Sequence, residues 1–338
     1  MDLNAIWFLL VGVLIIGYAI LDGFDLGVGV LHLFARDNHE RRLFLNAIGP
    51  VWDGNEVWLL TGGGALFAAF PVVYATVFSG FYLAMMLLLV ALIFRAVSLE
   101  FRGKVDSARW QKIWDWSFGI GSLLPAVLFG VAFGNILRGV PVDAAGRWVG
   151  SFPGLLNPYA ILIGVLSLIL FTMHGAIYLS LKTDGALRNR MVRWASGSWM
   201  AVVALYFLAT MATIFVSPFL FEGMLRNPLF WVLFLLLLAS ILTIPAFLKA
   251  ARHFRAFLAS SLTIACMIGL SALSLFPRLV PSSVDLAYSL TIYNASSSEV
   301  TLSTMLIIAL IGMPLVIGYT IFIYRAFKGK VVLTSDSY

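Results

Sequence analysis

The sequence predicts an all-α, polytopic membrane protein, and three observations lead to this fold class. First, 61% of the 338 residues are hydrophobic and only 11% are charged, which leaves too little polar surface to cover a water-soluble globule of this length. Second, the apolar residues form runs of about 20 residues or more, the length that an α-helix needs to cross a hydrocarbon core of about 30 Å. Third, the alternating pattern of a membrane β-barrel is absent. We therefore expect a single integral membrane domain, 1–338.

Nine apolar segments are the candidate transmembrane helices, and the connections between them are too short to hold a soluble domain. In chain order the segments cover 4–33, 52–70, 74–99, 115–137, 155–181, 195–217, 229–248, 257–276 and 302–326. The first segment is too long for a signal-peptide core and no Lys or Arg precedes it, so we expect a retained helix. The longest connection, 277–301, is polar enough for a surface loop.

Connections that are rich in Lys and Arg alternate along the chain with connections that are poor in them. Arg95 lies within a span, and four other cations lie in the poor connections: Arg138, Arg147, Arg226 and Arg278. The remaining 17 lie in the rich connections: Arg36, Arg41, Arg42, Arg102, Lys104, Arg109, Lys112, Lys182, Arg188, Arg190, Arg193, Lys249, Arg252, Arg255, Arg325, Lys328 and Lys330. The positive-inside rule then predicts an external N-terminus, a cytoplasmic C-terminus and an odd number of helices. Because topology explains the net charge of +6, no nucleic-acid partner is expected.

The segments 4–33 and 155–181 are predicted to cross the membrane in the same direction. Both contain a polar residue followed by glycine, at Asp22-Gly23 and His174-Gly175. This similarity is compatible with two parallel four-helix repeats, 1–138 and 155–276, followed by a ninth helix at about 302–326. It is equally compatible with no repeat, because the shared pattern is short.

Ionisable residues gather at the predicted cytoplasmic ends of the first three spans. Asp22 and Asp25 are three residues apart and therefore neighbours on one helix face. Asp53 and Glu56 open the second span with the same spacing. Arg95 and Glu100 lie at the end of the third span.

Two interpretations of these residues remain open. An ionisable group near the bilayer centre costs at least about 2.5 to 3.5 kcal/mol, so it normally faces a bundle interior or water and pairs with another group. Carboxylates in such a position suit proton uptake or ion binding. Alternatively, the acids lie at head-group level, where they cap helices and meet basic loop residues. We favour the second interpretation for Glu56 and Glu100, whereas both stay open for Asp22 and Asp53.

Four further residues are candidates for structural or interface roles. Gly23 and Gly27 form a small-residue face that lets another helix approach closely. His174 is the mid-span histidine, but the sequence offers no second axial ligand at helical spacing. We therefore interpret His174 as a hydrogen-bonded bundle residue, and we expect neither a heme nor a metal site in this chain alone. Trp52 belongs to an interfacial aromatic belt, with a specific role beside Asp53 as the alternative.

Six motifs along the chain resemble those of one known family, subunit II of the cytochrome bd quinol oxidases, including its cyanide-insensitive variants. The resemblance extends from the first helix to the last. The most specific motifs are the Asp-Gly-Phe-Asp and Trp-Asp-Gly-Asn-Glu stretches. The motifs are "GYAILDGFDLGVGVL" (17–31), "GPVWDGNEVWLLTGGGALFAAFP" (49–71), "RWQKIWDWSFGIGSLLP" (109–125), "GVAFGNILRGVP" (130–141), "FPRLVPSS" (276–283) and "TLSTM" (301–305).

The resemblance implies a fold and a partner that composition alone does not. It implies two four-helix bundles and a peripheral helix, without a heme in this subunit. The partner, subunit I, is expected to carry two b-type hemes and heme d. The complex is expected to lie in a prokaryotic cell membrane, oxidise quinol and reduce O₂ to water with cytoplasmic protons. The resemblance leaves open a bound structural quinone or lipid, an O₂ route, and small single-helix accessory subunits.

By the same resemblance, six residues are expected to line a polar route at the subunit interface. Asp25 and Asp53 would receive cytoplasmic protons, and Arg95 and Glu100 would adjust the proton affinity of these two acids. Asp22 and Trp52 would complete the route. Two other hypotheses compete with this one: a secondary transporter coupled to protons or cations, and a purely structural partner subunit.

Overall fold

The computed structural model describes residues 2–333, which form eleven α-helices and one short antiparallel hairpin. The helices are α1 (Leu3–His32), α2 (Asn38–Ile48), α3 (Trp52–Ala69), α4 (Pro71–Gly80), α5 (Tyr82–Phe101), α6 (Ala108–Arg138), α7 (Pro158–Lys182), α8 (Gly185–Val216), α9 (Pro228–Lys249), α10 (His253–Leu275) and α11 (Glu299–Ala326). The strands are β1 (Arg278–Val280) and β2 (Leu290–Thr291). The helical prediction is therefore confirmed.

Eight helices in the described part of the chain are long and apolar enough to cross a membrane. The predicted span 52–70 corresponds to α3, which has only 18 residues and is less apolar because Asp53 and Glu56 lie in its first turns. The predicted span 74–99 is wrong as a single helix, because the chain divides there into α4 and α5 at Phe81. Gly80 lies at this break, and a Cβ atom on it would be 2.4 Å from the Trp148 ring. The glycine thus allows Trp148 to pack over the break.

The centre of the bundle is the pair α1 and α7. From Asp22 to His32 every residue of α1 is buried, and α7 is buried in the same way from Leu170 to Ser180. A helix that is apolar around its whole circumference is expected in such a central position. The two helices contact each other at glycines. A Cβ on Gly27 would lie 1.9 Å from the Phe171 carbonyl oxygen, and one on Gly175 would lie 2.6 Å from the Gly27 carbonyl carbon, so neither position has room for a side chain.

One end of the bundle collects the basic connections, and we call it the basic end. It comprises 36–42, 102–112, 182–193, 249–255 and 325–330. Contacts between distant segments hold these connections together. The Lys182 Nζ donates to the Phe327 carbonyl at 2.8 Å, and the Tyr178 hydroxyl donates to the Ala47 carbonyl at 2.8 Å.

The amphipathic helix α2 lies in the connection between the predicted spans 4–33 and 52–70, and it covers part of the basic end. Asp37 caps its first turn by accepting a hydrogen bond from the Glu40 amide at 2.8 Å, as expected for an aspartate at an N-cap. Phe44, Leu45 and Ile48 are buried in the bundle core.

The opposite end is closed by the β1–β2 hairpin and the segment 139–157. Val140 donates its amide to the Pro281 carbonyl at 2.9 Å, and the Ser282 hydroxyl donates to the Val142 carbonyl at 2.7 Å. The Ser297 amide donates to the Ala69 carbonyl at 2.8 Å. The long connection after α10 is thus an ordered cap across the ends of α3 and α6.

Candidate functional site

Arg95 is the centre of a buried ionic group that joins α1, α3 and α5. Its guanidinium makes a bidentate contact with Asp22, with Nη1 to Oδ2 at 3.1 Å and Nη2 to Oδ1 at 2.5 Å. Asp25 Oδ2 lies 4.0 Å from Nη2, and Glu56 Oε2 lies 3.9 Å from Nη1. The side chains of Arg95, Asp22 and Asp25 are completely buried, and that of Glu56 is 20% exposed. A planar guanidinium is well suited to hold several carboxylates in this way.

Helix geometry explains why these residues meet. Asp22 and Asp25 are separated by three residues, so both point from α1 towards the same neighbours. Arg95 lies on the buried side of α5, where that helix approaches α6 closely. A Cβ on Gly121 of α6 would lie 2.7 Å from the Ala91 carbonyl and 2.9 Å from the Arg95 amide. The site is about 15 Å from the C-terminal end of α1, at 1.5 Å per residue.

A chain of hydrogen bonds extends from Asp25 towards the basic end. Asn55 donates from Nδ2 to Asp25 Oδ2 at 2.8 Å and to the Leu21 carbonyl at 3.2 Å. The Tyr324 hydroxyl of α11 donates to Asn55 Oδ1 at 3.0 Å. Tyr324 and Lys182 also line a cavity of about 360 Å³ that opens at the basic end. A polar connection thus runs from this cavity to a buried carboxylate.

Several buried polar atoms of this group have no hydrogen-bond partner among the described residues. They are Asp25 Oδ1, the Tyr18 hydroxyl and Arg95 Nε. Buried polar atoms are normally satisfied by protein groups or by ordered water. Ordered water between these acids would satisfy such atoms.

The structure brings together four of the six predicted polar residues, Asp22, Asp25, Glu56 and Arg95, and leaves two outside. Asp53 and Glu100 are exposed at the helix ends. Glu100 follows Arg95 by five residues, and at 100° per residue it points about 140° away from it. Asp53 lies in the first turn of α3, one turn nearer the end than Glu56. The exposure of Glu100 agrees with the head-group interpretation that the sequence favoured for it, whereas Glu56, given the same interpretation, lies beside Arg95. Asp53, for which both interpretations were open, is exposed.

Asn55 and Tyr324 were missing from the sequence interpretation. Asn55 lies inside the quoted Trp-Asp-Gly-Asn-Glu motif, but an uncharged amide between two acids gives no signal of a functional role by itself. Tyr324 lies 269 residues further along the chain, beside basic residues, where an interfacial aromatic is the ordinary interpretation.

A second buried ionic group at the basic end was also missed, and Asp115 is its centre. Arg102 Nε contacts Asp115 Oδ1 at 2.6 Å, and His32 Nε2 lies 2.7 Å from the same oxygen. Arg102 also donates to Asn38 Oδ1 at 2.6 Å, and Arg41 lies 3.5 Å from Asp115 Oδ2. Asp115 follows a run of basic and aromatic residues, which in sequence resembles a solvated helix start. The group ties α1, α2, α5 and α6 together.

The candidate structural residues occupy close helix contacts. A Cβ on Gly23 would lie 2.8 Å from the Phe171 ring, and Gly27 is at the crossing with α7. His174 has both ring nitrogens in hydrogen bonds, Nδ1 with the Ser260 hydroxyl at 2.7 Å and Nε2 with the Ile20 carbonyl at 3.1 Å. Trp52 is partly buried against the main core. Since both nitrogens of His174 are occupied, this side chain as placed does not present a ligand to a heme iron.

Metal-binding side chains do not cluster in the described part of the chain. Within residues 2–333, no group of three or more His, Cys, Asp and Glu side chains has the geometry to hold a metal ion. Asp115 and His32 are instead paired with each other and with arginine.

Together, the fold and the site define a polytopic helical membrane protein with a buried group of acids around one arginine. A family model described as "Cytochrome bd terminal oxidase subunit II" matches residues 3–327. The chain belongs to this family, so it is a subunit of a terminal oxidase complex and a multi-pass protein of the bacterial cell membrane. The resemblance of its motifs is thereby confirmed.

Individual relatives agree with this assignment along the whole chain. The chain is 40% identical to "Cytochrome bd-I ubiquinol oxidase subunit 2" of Escherichia coli K12, with 97% of this chain and 95% of the relative covered. It is also 40% identical to "Cytochrome bd ubiquinol oxidase subunit 2" of Bacillus subtilis, with 98% and 97% covered. The fold is similar to a chain in the structure of bd oxidase from Geobacillus thermodenitrificans, with a TM-score of 0.81, 17% identity, and 97% and 99% of the two chains covered.

Proposed function

We propose that this chain is the non-heme subunit of a complex that oxidises quinol and reduces O₂ to water. In this proposal a heme-bearing subunit I carries two b-type hemes and heme d, and the present chain stabilises that subunit within the membrane. Supporting this, the E. coli and B. subtilis relatives are named as ubiquinol oxidase subunits and are similar along almost their full length. The complex generates a proton motive force without pumping, because it takes the protons for O₂ reduction from the cytoplasm.

The basic end is the cytoplasmic side in this proposal. Seventeen of the 22 Lys and Arg residues lie in its connections, and cytoplasmic loops are the ones enriched in these residues. The N-terminus is then external and the C-terminus cytoplasmic, with nine crossings. The short helix α3 counts as one crossing, and α4 with α5 as another. Two four-helix bundles and the peripheral α11 account for the nine.

We further propose that Asp25 receives cytoplasmic protons along a polar connection lined by Tyr324 and Asn55. Water carries the proton in this connection, because the Asn55 amide neither gains nor releases one; Asn55 instead orients the Asp25 carboxylate. The observation that carries this step is the hydrogen-bonded series from Tyr324 through Asn55 to Asp25, which begins at a cavity of the basic end. Arg95 adjusts the proton affinity of the acids that it contacts, and Asp22 and Glu56 share its positive charge. Asp53 and Glu100 act at the exposed mouth, where they attract protons from the cytoplasmic surface.

Two variants test the proton route in the assembled complex. Asp25→Asn removes the buried carboxylate, and Tyr324→Phe removes one hydroxyl while keeping the ring. Tyr319→Phe is the matched control, since Tyr319 is on the same helix and 63% exposed. The measurements are heme content by absorption, quinol oxidase turnover, and charge translocation in proteoliposomes.

We expect both test variants to keep their heme content and to lose turnover and charge translocation, by about tenfold or more for Asp25→Asn. The control should match the wild type. If Asp25→Asn with full heme content has normal turnover and translocation, the proton route is refuted. Loss of heme from Asp25→Asn would instead support an assembly role for the acid. If the chain were instead a secondary transporter, it would be purified without a heme-bearing subunit and without a heme d absorption band in the red.

A further inference from the structure

An open groove lies at the basic end, on the outer side of α7 and α8. It has a volume of about 570 Å³, and the part nearest the basic end is lined by Arg36, Arg190 and Arg193. Further from the basic end, the lining continues with Trp194, Gly197 and Ile169. Both helices belong to the set that is apolar and long enough to cross a membrane. The groove therefore begins where the head groups lie and continues towards the hydrocarbon region.

The arginines of the groove are only partly neutralised by the protein. Arg190 is 9% exposed and is held by Glu40, with Nη2 to Oε2 at 2.5 Å. The same Glu40 oxygen also accepts the backbone amide of Arg36 at 2.8 Å. The side chains of Arg36 and Arg193 are exposed, and no ion pair connects either one to an acid within residues 2–333. The groove thus has two guanidinium groups available for an anion.

The part of the groove that is further from the basic end is apolar and open. Arg190, Trp194 and Gly197 recur at helical spacing along one face of α8. The Trp194 ring lies against Phe34, with ring centroids 5.1 Å apart. Nothing lies within 4 Å of the position that a Cβ on Gly197 would occupy. Because of this glycine, a trough remains on the helix surface next to the indole, on the side away from the basic end.

We propose that this groove binds an anionic phospholipid, with the phosphate on Arg36 and Arg193 and an acyl chain over Gly197 and Ile169. Guanidinium groups match phosphate oxygens in geometry and charge, and basic pockets between membrane helices on the cytoplasmic side recognise anionic head groups. An indole at the boundary suits the head-group level. A free phosphate ion would satisfy the arginines but would leave the apolar trough unused. This site is separate from the proposed proton route and does not depend on it.

The test uses the whole oxidase complex, purified in detergent and delipidated, with bound lipid counted by native mass spectrometry. The probes are dioctanoyl phosphatidylglycerol and dioctanoyl phosphatidylcholine, each titrated alone and in the presence of excess inorganic phosphate. The test variant is Arg36→Gln with Arg193→Gln. The matched control is Arg252→Gln with Arg255→Gln, which removes two exposed charges at the same end, outside the groove. Heme absorption verifies that each complex is assembled.

We expect phosphatidylglycerol to bind about 30-fold more weakly to the test variant, and to bind the control variant as it binds the wild type. Phosphatidylcholine should bind the wild type no better than phosphatidylglycerol binds the test variant. Equal phosphatidylglycerol binding by the test variant and the wild type would overturn the proposal. Full displacement by inorganic phosphate would also overturn it, because the site would then be one for a free anion.

A second variant keeps the proposal testable if the double arginine variant does not assemble. Gly197→Phe places a ring in the trough and leaves every charge of the groove in place. The side chain enters open space, so the bundle should assemble. We expect phosphatidylglycerol binding to fall in this variant as well. Binding equal to that of the wild type would overturn the placement of the acyl chain.

Discussion

Arg95 offers a direct test of how the buried ionic group stabilises the bundle. Its guanidinium lies within 4.0 Å of three carboxylates, Asp22, Asp25 and Glu56. At an effective dielectric constant of about 20, two unit charges 4 Å apart attract each other by about 4 kcal/mol. The cost of burying the charges offsets much of this attraction, but the loss of one partner leaves the other uncompensated. Arg95→Gln should therefore lower the free energy of unfolding by about 3 to 5 kcal/mol.

A double-mutant cycle with Asp22→Asn separates the pair from the general cost of each substitution. Arg95→Gln leaves Asp22 without its cation, and Asp22→Asn leaves Arg95 without its bidentate carboxylate. The double variant removes both members of this pair, while Asp25 and Glu56 stay in place in all the variants. The double variant should therefore lose less stability than the sum of the single variants, with a coupling free energy of about 2 to 3 kcal/mol. The free energy of unfolding is measured by SDS titration of the purified complex in mixed micelles, followed by circular dichroism.

The exposed pair of Arg147 and Asp143 provides the matched control for this cycle. Its Nη2 to Oδ2 distance is 2.9 Å, but the arginine side chain is 78% exposed. Exposed ion pairs are screened by water and contribute little to stability, so the cycle of Arg147→Gln and Asp143→Asn should show a far smaller coupling. If the costs of Arg95→Gln and Asp22→Asn are simply additive, the ion pair does not stabilise the bundle.

Three further predictions concern the helix crossing, the second ionic group and the C-terminal segment. Gly27→Leu should prevent assembly, because its Cβ would lie 1.9 Å from the Phe171 carbonyl oxygen, whereas Gly12→Leu on the same helix enters open space and should assemble. Equal recovery of the two complexes by size exclusion would contradict this. Asp115→Asn should cost about 3 to 5 kcal/mol in the same SDS titration, because Arg102 then lacks its buried carboxylate, and a cost near zero would contradict the assignment. Lys330 and Arg188 hold the pKa of Asp184 below its ordinary value, so this contact stabilises the folded chain at neutral pH and is lost as the pH falls through the lowered pKa. The protection of the Val331 amide, which donates to the Lys182 carbonyl at 2.9 Å, should then fall, so that its hydrogen exchange becomes faster relative to the intrinsic rate at that pH. Asp184→Asn should show the faster exchange already at neutral pH, and unchanged protection in both cases would refute the link.

The membrane class, most of the helices and the family could be predicted from the sequence because each depends on local information. The length of an apolar run decides whether a helix crosses the bilayer, and seven of the nine predicted spans correspond to single long helices within residues 2–333, with ends that differ by several residues. The division at Phe81 was not predictable from such runs. Its position depends on Trp148, which is far away in sequence and packs against Gly80.

The composition of the buried groups was decided by tertiary structure. The sequence placed Asp22, Asp25, Glu56 and Arg95 at neighbouring helix ends, but it could not tell that Glu56 turns towards Arg95 or that Tyr324 reaches Asn55. The angle around each helix axis and the packing of α11 against α3 determine these contacts, and both depend on how complete helices meet. The sequence by itself determined which segments leave water, because hydrophobic transfer is a sum over nearby residues. Only the tertiary structure decided which charges share the interior, because a buried charge is stable only beside the partner that packing brings to it.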